Sequence, residues 1–438
     1  MIFLRLLVFA ALSFVGTPLL HAQRLSVLGA KPDWTRLEAY QETITHDDFV
    51  RLLDHVYAPG GAAKGVIDVQ PDVAVIKMTL TPPTEFRLRF AASAAAAKPA
   101  PRYWRLPAQL GPPPDGQPLA GLKIALDPGH LGGPWAKMEE RWYQIGESRP
   151  VTEGDMTLRV AKMIAPKLKA LGAEVSFVRD STEPVTHNRP ENLRDAARAE
   201  LELEGVASPR ENYHGMDDPG RADTVQARSE LLFYRSDEIR QRAVIVNTKL
   251  QPDLVVCLHF NAEGWGDPKR PDFVPRNHLH LIVNGCYSAG ELHFDDQRFE
   301  MLLKLLGGTF SEALAVSEQV ADSLAAATKL PPYEYTTGNA IHISENPYIW
   351  ARNLLANRTY DTPVIFLEPY VMNSEVVWER VQAGDYDGEQ MIGGEKRRSI
   401  YREYADAVVE GLRDYYTKAR APQPAAPPGP AAQPAVPK

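Results

Sequence analysis

The sequence predicts an α/β fold, a mainly parallel sheet covered by helices on both faces and preceded by a small α+β domain. Three observations carry that prediction. First, between about Leu119 and Arg420 short apolar runs alternate with longer amphipathic ones, the pattern of strands and helices taking turns along a parallel sheet. Second, the strand-like runs "LKIALD", "DLVVCLHF" and "TPVIFLEP" are almost continuously apolar, as expected of strands buried on both faces. Third, 44% hydrophobic and 24% charged residues over 438 positions are those of a globular chain with room for more than one core.

The first residues, "MIFLRLLVFAALSFVGTPLLHAQ", place one early cation, Arg5, before an apolar run that ends in small residues. This predicts a secretory signal over 1–22, cut after "LHA". Gly16 and Pro18 interrupt a run already short for a membrane span. No cysteine at the cut suggests lipid attachment, and no later segment could cross a bilayer. The mature chain is therefore expected outside the cytoplasm, in the periplasm or the extracellular space.

A small α+β domain is expected over 25–92. In "THDDFVRLLDHVY", Thr45 and Asp48 have capping-box spacing, and Phe49, Leu52, Leu53, Val56 and Tyr57 form one apolar stripe. Three short strand-like runs follow, and no cluster of catalytic residue types accompanies them. Residues 93–118 are rich in Ala and Pro and read as a linker, and 421–438 as a disordered tail of similar composition. The region 119–420 between them is the expected catalytic domain.

Within that region "LKIALD" is the first strand. "GDMTLRVAKMIAPKLKALGA" follows as a helix, and at its start Thr152 and Asp155 have the spacing of a capping-box variant that puts Glu153 in the first turn. Val160, Ile164, Leu168 and Leu171 continue its apolar stripe, Pro166 threatens to bend it, and Gly172 ends it. "EVSFVRD", the helix "DEIRQRAVIVNTKL", "DLVVCLHF", "TPVIFLEP" and a closing helix "SIYREYADAVVEGLRDYYTKA" complete the alternation.

A net charge of −8 argues against a general nucleic-acid binder, which would present a basic face. Cys257 and Cys286 allow at most one bridge; both sit in apolar runs and read as buried thiols.

Ligands of open α/β sheets collect at the carboxyl ends of strands. Here His130 follows "KIALDPG", His259 ends "LVVCLH" and Glu368 ends "PVIFLE", while Glu153 opens a helix. Each alone has a bland reading. A histidine after a strand is usually a hydrogen-bonded structural residue, and a first-turn glutamate serves the helix dipole. Together they supply two imidazoles and a carboxylate, the open three-ligand set of catalytic zinc sites, with a second carboxylate left for proton transfer.

The motifs "IALDPGHLGG", "VTEGDMTLRVAKMI", "LVVCLHFNA" and "TPVIFLEPYVMNS", in that order, resemble those of the zinc-dependent N-acetylmuramoyl-L-alanine amidases, which cut peptidoglycan. The helix "EIRQRAVIVNTKLQPD" is also similar to the one before that family's second histidine. The resemblance implies His130, Glu153 and His259 as Zn2+ ligands and Glu368 as the catalytic carboxylate. It implies Asn261 in the site wall and peptidoglycan as the substrate, cleaved between muramic acid and L-alanine by metal-activated water. Asp127 stands where it could orient a ligand or cap a turn. Gly129, Gly132 and Gly133 would free the backbone to swing His130 over the sheet edge.

Two insertions depart from that family's pattern, roughly 181–234 and a stretch after His259. The second contains "SAGELHFDDQRFEMLLKLLGGTFSEA", where Phe299, Leu302, Leu303, Leu305 and Leu306 predict an amphipathic helix. Some members carry an inserted helix that blocks the cleft until an activator protein withdraws it. Here Glu291, Asp295 or Asp296 would be the plug; a packed surface helix is the plainer reading. His278 and His280 share a strand face, an arrangement that could bind metal, though solvated strand residues are the plainer reading, and His187, His214, His293 and His342 have no matched role. Trp350, Tyr348 and Trp265 are candidates for a groove, or ordinary core and rim aromatics. Other readings are a zinc amidase or peptidase acting on another amide, and a non-catalytic wall-binding protein.

Overall fold

A computed structural model describes residues 23–264 and 273–421. The expected signal segment, Trp265 and, apart from Ala421, the expected tail lie outside them.

The N-terminal unit holds α1 (His46–Leu52), which runs on as a π-helical turn to Tyr57, and an antiparallel sheet of β1 (Ile67–Gln70), β2 (Val73–Leu80) and β3 (Pro83–Arg89). The Thr45 hydroxyl accepts from the Asp48 N–H, so the expected N-cap forms. Then come β4 (Lys123–Pro128), the short pair β5 (Trp142–Tyr143) and β6 (Val151–Thr152), α2 (Glu153–Ala170) and β7 (Glu174–Phe177). The first insertion contributes α3 (Arg194–Leu203) and α4 (Val225–Leu232), the latter continuing through a π turn into α5 (Glu238–Val244) and then β8 (Leu254–Leu258). The second contributes β9 (Leu279–Val283), α6 (Ala289–Leu292), α7 (Asp295–Leu306), α8 (Thr309–Thr328), β10 (Ala340–His342) and β11 (Ile349–Arg352). The chain closes with α9 (Leu355–Thr359), β12 (Val364–Pro369), α10 (Glu375–Ala383), the hairpin β13 (Glu389–Ile392) and β14 (Glu395–Arg398), and α11 (Ile400–Ala419).

Seven strands make the central sheet, in the order β10-β11-β9-β12-β8-β4-β7. The β12, β8, β4 and β7 strands run parallel, while β9 pairs antiparallel with β12 and β10 antiparallel with β11. The sheet is therefore mixed and mostly parallel. The second insertion is less an ornament than nearly half of that sheet.

Strand alternation sorts the side chains. Ile124 and Leu126, Leu254, Val256 and Leu258, and Ile365 and Leu367 face α2, α8 and α11. Ala125, Val255, Cys257, Val364 and Phe366 face α5 and α9. Pro166 sits inside α2 without ending it.

The N-terminal unit does not stand apart. Leu37, Phe49, Tyr57, Ile76 and Leu88 share one core with Phe299, Leu302, Leu305 and Leu306 of α7. This overturns the plug expectation for α7. Asp295 binds the Arg298 guanidinium and accepts from the Arg24 N–H (2.7 and 3.2 Å), and Asp296 takes the Ser26 N–H and hydroxyl. Glu291 caps α6 through Ser288 and accepts from Asn353 Nδ2. All three carboxylates are spent on local structure, and α7 is buried on every side rather than amphipathic.

The stretch expected as a linker is likewise pinned: Trp104 is buried, and Arg105 grips Asp253 through its backbone N–H, Nε and Nη2 (2.9, 3.0 and 2.7 Å). His278 and His280 are buried too, because Tyr333 lies over both rings at 4.5 and 4.8 Å. Both cysteines are free and buried, and no helix among the described residues is long and apolar enough to cross a membrane.

Lys304 of α7 donates to the Tyr360 and Thr362 carbonyls, both at 2.8 Å, from a fully enclosed position. Burial pushes its pKa from 10.5 down to about 7. Between those values the unfolded chain carries the extra proton, so unfolding free energy should rise with pH there. Thermal unfolding of wild type and Lys304→Met from pH 6 to 10 should show wild type gaining stability relative to the variant above about pH 7; parallel curves would refute the assignment.

Candidate metal centre

The alternation that buries the sheet's apolar residues also delivers the polar ones. Continuing past Ala125, past Val255 and Cys257, and past Val364 and Phe366, the next residues on that face are Asp127, His259 and Glu368. Leu258 pairs with Leu367, which brings His259 and Glu368 side by side at the carboxyl ends of β8 and β12. The His259 ring stacks on Phe366, centroids 4.2 Å apart. Glu153, at the first turn of α2, is only 1% exposed.

His130, Glu153 and His259 converge, with one nitrogen or oxygen from each lying within 4.8 Å of the others. His130 Nε2 is 3.4 Å from Glu153 Oε2, and His259 Nδ1 is 3.2 Å from Oε1. The imidazoles meet edge to face at 4.9 Å. Such a donor set, two neutral-capable nitrogens and a carboxylate oxygen, fits a divalent zinc ion with coordination left open.

The scaffold explains the convergence. His130 itself takes the left-handed backbone conformation, φ 58°, at a cost of roughly 1–2 kcal/mol for a non-glycine residue. Arg179 holds it there, its Nη2 donating to the carbonyls of His130 and Pro128 (2.7 and 3.1 Å). Gly129 is needed for proximity rather than flexibility, since a Cβ there would overlap the His259 ring. Gly154 is similar: its Cβ would run into the Leu131 backbone.

Sequence reading placed two neighbours differently. Asp127 does not reach His130. Its carboxylate binds Arg242 Nη1 (2.9 Å) and the Tyr360 hydroxyl (2.6 Å), with the Cys257 thiol beside it. Arg242 is shared with Glu238 (2.9 Å), so this buried network braces α5 against β4. The expected Thr152–Asp155 capping box does not form either. The Thr152 side chain caps nothing, and Asp155 instead accepts from the Gly133 N–H at 2.9 Å, tying α2 to the His130 loop. Asn261 uses its side chain on the Ala262 N–H and its backbone on Tyr370 and Met372, outside the cavity lining. Trp350 is buried beneath Tyr335, and Tyr348 bonds the Leu330 carbonyl; neither lines the cavity.

The residue that does orient His130 is Glu139, unremarked in the sequence. It accepts from His130 Nδ1 and from the Leu131 N–H, both at 2.6 Å, which fixes the ring with Nε2 toward Glu153. Arg141 stands 3.5 Å from Glu153 Oε2. Both lie in "KMEERWY", nine and eleven positions beyond His130 with only a 3-10 turn at Gly133–Trp135 between, so only a charged cluster so near the loop could have flagged them.

A cavity of about 360 Å³ opens on His130, His259 and Glu368. Electrostatics there are dominated by burial. Burial would raise Glu153, but the His130, His259 and Arg141 charges outweigh it and hold its carboxyl below the usual range. Burial lowers His130. It would lower His259 also, yet the Glu153 hydrogen bond and the Glu368 and Asp127 charges raise it overall. Burial and the nearby Glu153 charge, only partly offset by His259, push Glu368 up to about 7.

No protein-family model and no curated protein matches the chain. Solved structures do. Ami1, the N-acetylmuramyl-L-alanine amidase of Mycobacterium smegmatis, matches at 15% identity over 68% of this chain and 99% of its own, TM-score 0.33. CwlD amidase from Clostridioides difficile, solved in complex with the GerS lipoprotein, matches at 11% over 67% and 98%, TM-score 0.37. The N-acetylmuramoyl-L-alanine amidase AmiC2 of Nostoc punctiforme gives 15% over 68% and 98%, TM-score 0.32. Likenesses this distant leave the function to be argued from the chain's own residues.

Gly129→Ala should displace the His259 ring and cost about 1–3 kcal/mol, as for other overpacked sites. Chemical denaturation and the histidine ring resonances would check both; unshifted resonances would contradict the packing described.

Proposed function

We propose that this chain is an exported, zinc-dependent N-acetylmuramoyl-L-alanine amidase, hydrolysing the amide between muramic acid and L-alanine in peptidoglycan. The observation that supports the reading most is the convergence of His130, Glu153 and His259 beside Glu368, the four residues singled out by the motif resemblance.

In this reading His130, His259 and Glu153 would hold Zn2+, which would supply Lewis acidity to a water and to the amide carbonyl. The chain's own residues do the rest. Glu139 keeps the His130 ring turned to its ligand face. Glu368 takes a proton from the attacking water and returns it to the leaving amine nitrogen of L-alanine. Phe366 and the Gly129 backbone fix the plane of His259. Asp127 and Arg242 act only through the scaffold.

Purified peptidoglycan and short stem peptides, digested by the mature protein and analysed by mass spectrometry, test the reading. Release of stem peptides beginning with L-alanine, abolished by chelation and restored by Zn2+, is the expected result; cleavage of the short peptides alone would reassign the substrate. Glu368→Gln should keep its zinc yet lose about 100- to 10,000-fold in rate. Glu139→Gln should weaken zinc binding by about 10- to 100-fold, read by competition with a chromogenic chelator, whereas unaltered affinity would deny Glu139 its orienting role.

A further inference from the structure

Two cations of the cavity lining lack a carboxylate partner among the described residues. Of its carboxylates, Asp127 and Glu238 are matched by Arg242. Glu139 is held by His130 and the Leu131 N–H, and Arg141 of the lining stands beside Glu153, which lies outside it. Two guanidinium groups that line the same cavity, Arg235 and Arg352, have no carboxylate within ion-pair distance among the described residues. Arg235 sits exposed on the π turn entering α5. Arg352 ends β11, half-buried, its Nη1 3.4 Å from the Tyr335 hydroxyl and its Cζ 5.5 Å from that ring's centre. Glu368 is the remaining acid, and the proposed reaction needs it free. Deeper in the same cavity the wall is apolar, formed by Ile239, Ile282, Leu354, Leu355 and Phe366.

From these two unpaired cations we infer that Arg235 and Arg352 bind a carboxylate of the substrate close to the scissile amide, so that the enzyme prefers acidic stem peptides over amidated ones. The inference rests on the amidase reading above and deepens it. Its chemistry is ordinary. A planar guanidinium offers paired N–H donors that match a carboxylate. Arg352 spends one Nη1 donor on the Tyr335 hydroxyl and lies over that ring, which sets its plane and leaves its other donors available. A second cation at the rim would draw the same anion inward. A substrate carboxylate would thereby supply the partner that no protein residue gives these arginines.

Two carboxylates of a stem peptide could fill the role, the one on the main chain or the one on the side chain of its second residue. The probe is therefore muramoyl-L-alanyl-D-glutamate in four forms: both carboxylates free, either one amidated, and both amidated. Binding is measured by calorimetry on zinc-loaded Glu368→Gln, which holds the ligand without consuming it. The expected result is at least about tenfold tighter binding of a free-carboxylate form over the fully amidated one, as for a hydrogen bond to a charged group. The singly amidated forms identify which carboxylate is read. In Glu368→Gln carrying Arg352→Gln and Arg235→Gln the preference should vanish while zinc content stays constant, and Arg352→Lys should keep part of it. Equal binding of all four forms, no binding of any, or a preference that survives the double arginine change each overturns the inference. Wild-type hydrolysis of the same compounds is scored separately: a carboxylate preference without cleavage would sink the amidase reading and leave the binding site standing.

Discussion

The whole arrangement depends on keeping one carboxylate, Glu153, out of water between two imidazoles. An ionised carboxyl so deeply buried is costly unless it is paired and hydrogen-bonded. Here both histidines, the Phe260 N–H (3.1 Å) and Arg141 converge on it. Its partners are in turn fixed from behind: Glu139 holds His130, and Phe366 holds His259. Removing any single partner would leave charge stranded, so the cluster is either complete or unfavourable. A divalent cation held there would add positive charge beside the same carboxylate.

A second buried network makes that cluster possible without joining it. Asp127 lies at the end of β4, immediately before the turn that carries His130. Its bonds to Arg242 and Tyr360 tie three segments together: β4, the helix leading into β8, and the chain before β12. Those same segments deliver His130, His259 and Glu368. Arg242 also donates to the Pro128 carbonyl at 2.9 Å, and Arg179 to the two carbonyls around Gly129. The turn "DPGH" is therefore held by two arginines from elsewhere in the sequence. That is how a histidine can sit at positive φ without a glycine's freedom.

Much of this could be read before any coordinates, and the reason is periodicity. In "LVVCLHF" and "PVIFLEP" the period of two is unbroken through His259 and Glu368, so the strand that buries Val255 and Cys257 must also turn the histidine to the same face. The α2 stripe likewise continues from Val160 to Leu168 and orients the helix whose first turn carries Glu153. What could not be read depends on contacts without a local period. Glu139 reaches His130 through a loop with two short turns. Asp155 looks like a capping residue by spacing, yet a backbone N–H from the His130 loop offers it a better-placed donor than its own helix. His278 and His280 look solvated in "HLH", because the tyrosines that cover them come some fifty residues later.

The inserted elements show how composition can mislead about role. An acidic, leucine-rich segment after His259 reads either as a movable plug or, more plainly, as a packed surface helix. Its packing excludes the plug. Leu302, Leu305 and Leu306 bury themselves against the N-terminal unit, Lys304 reaches back to the loop before β12, and Arg298 donates to the Lys77 and Met78 carbonyls of β2 (2.7 and 3.1 Å). Withdrawing α7 would expose a core shared by two regions and strand a buried amine and a buried guanidinium. The burial of those leucines alone is worth about 1.5–3 kcal/mol each. α7 is therefore a fixed part of the fold.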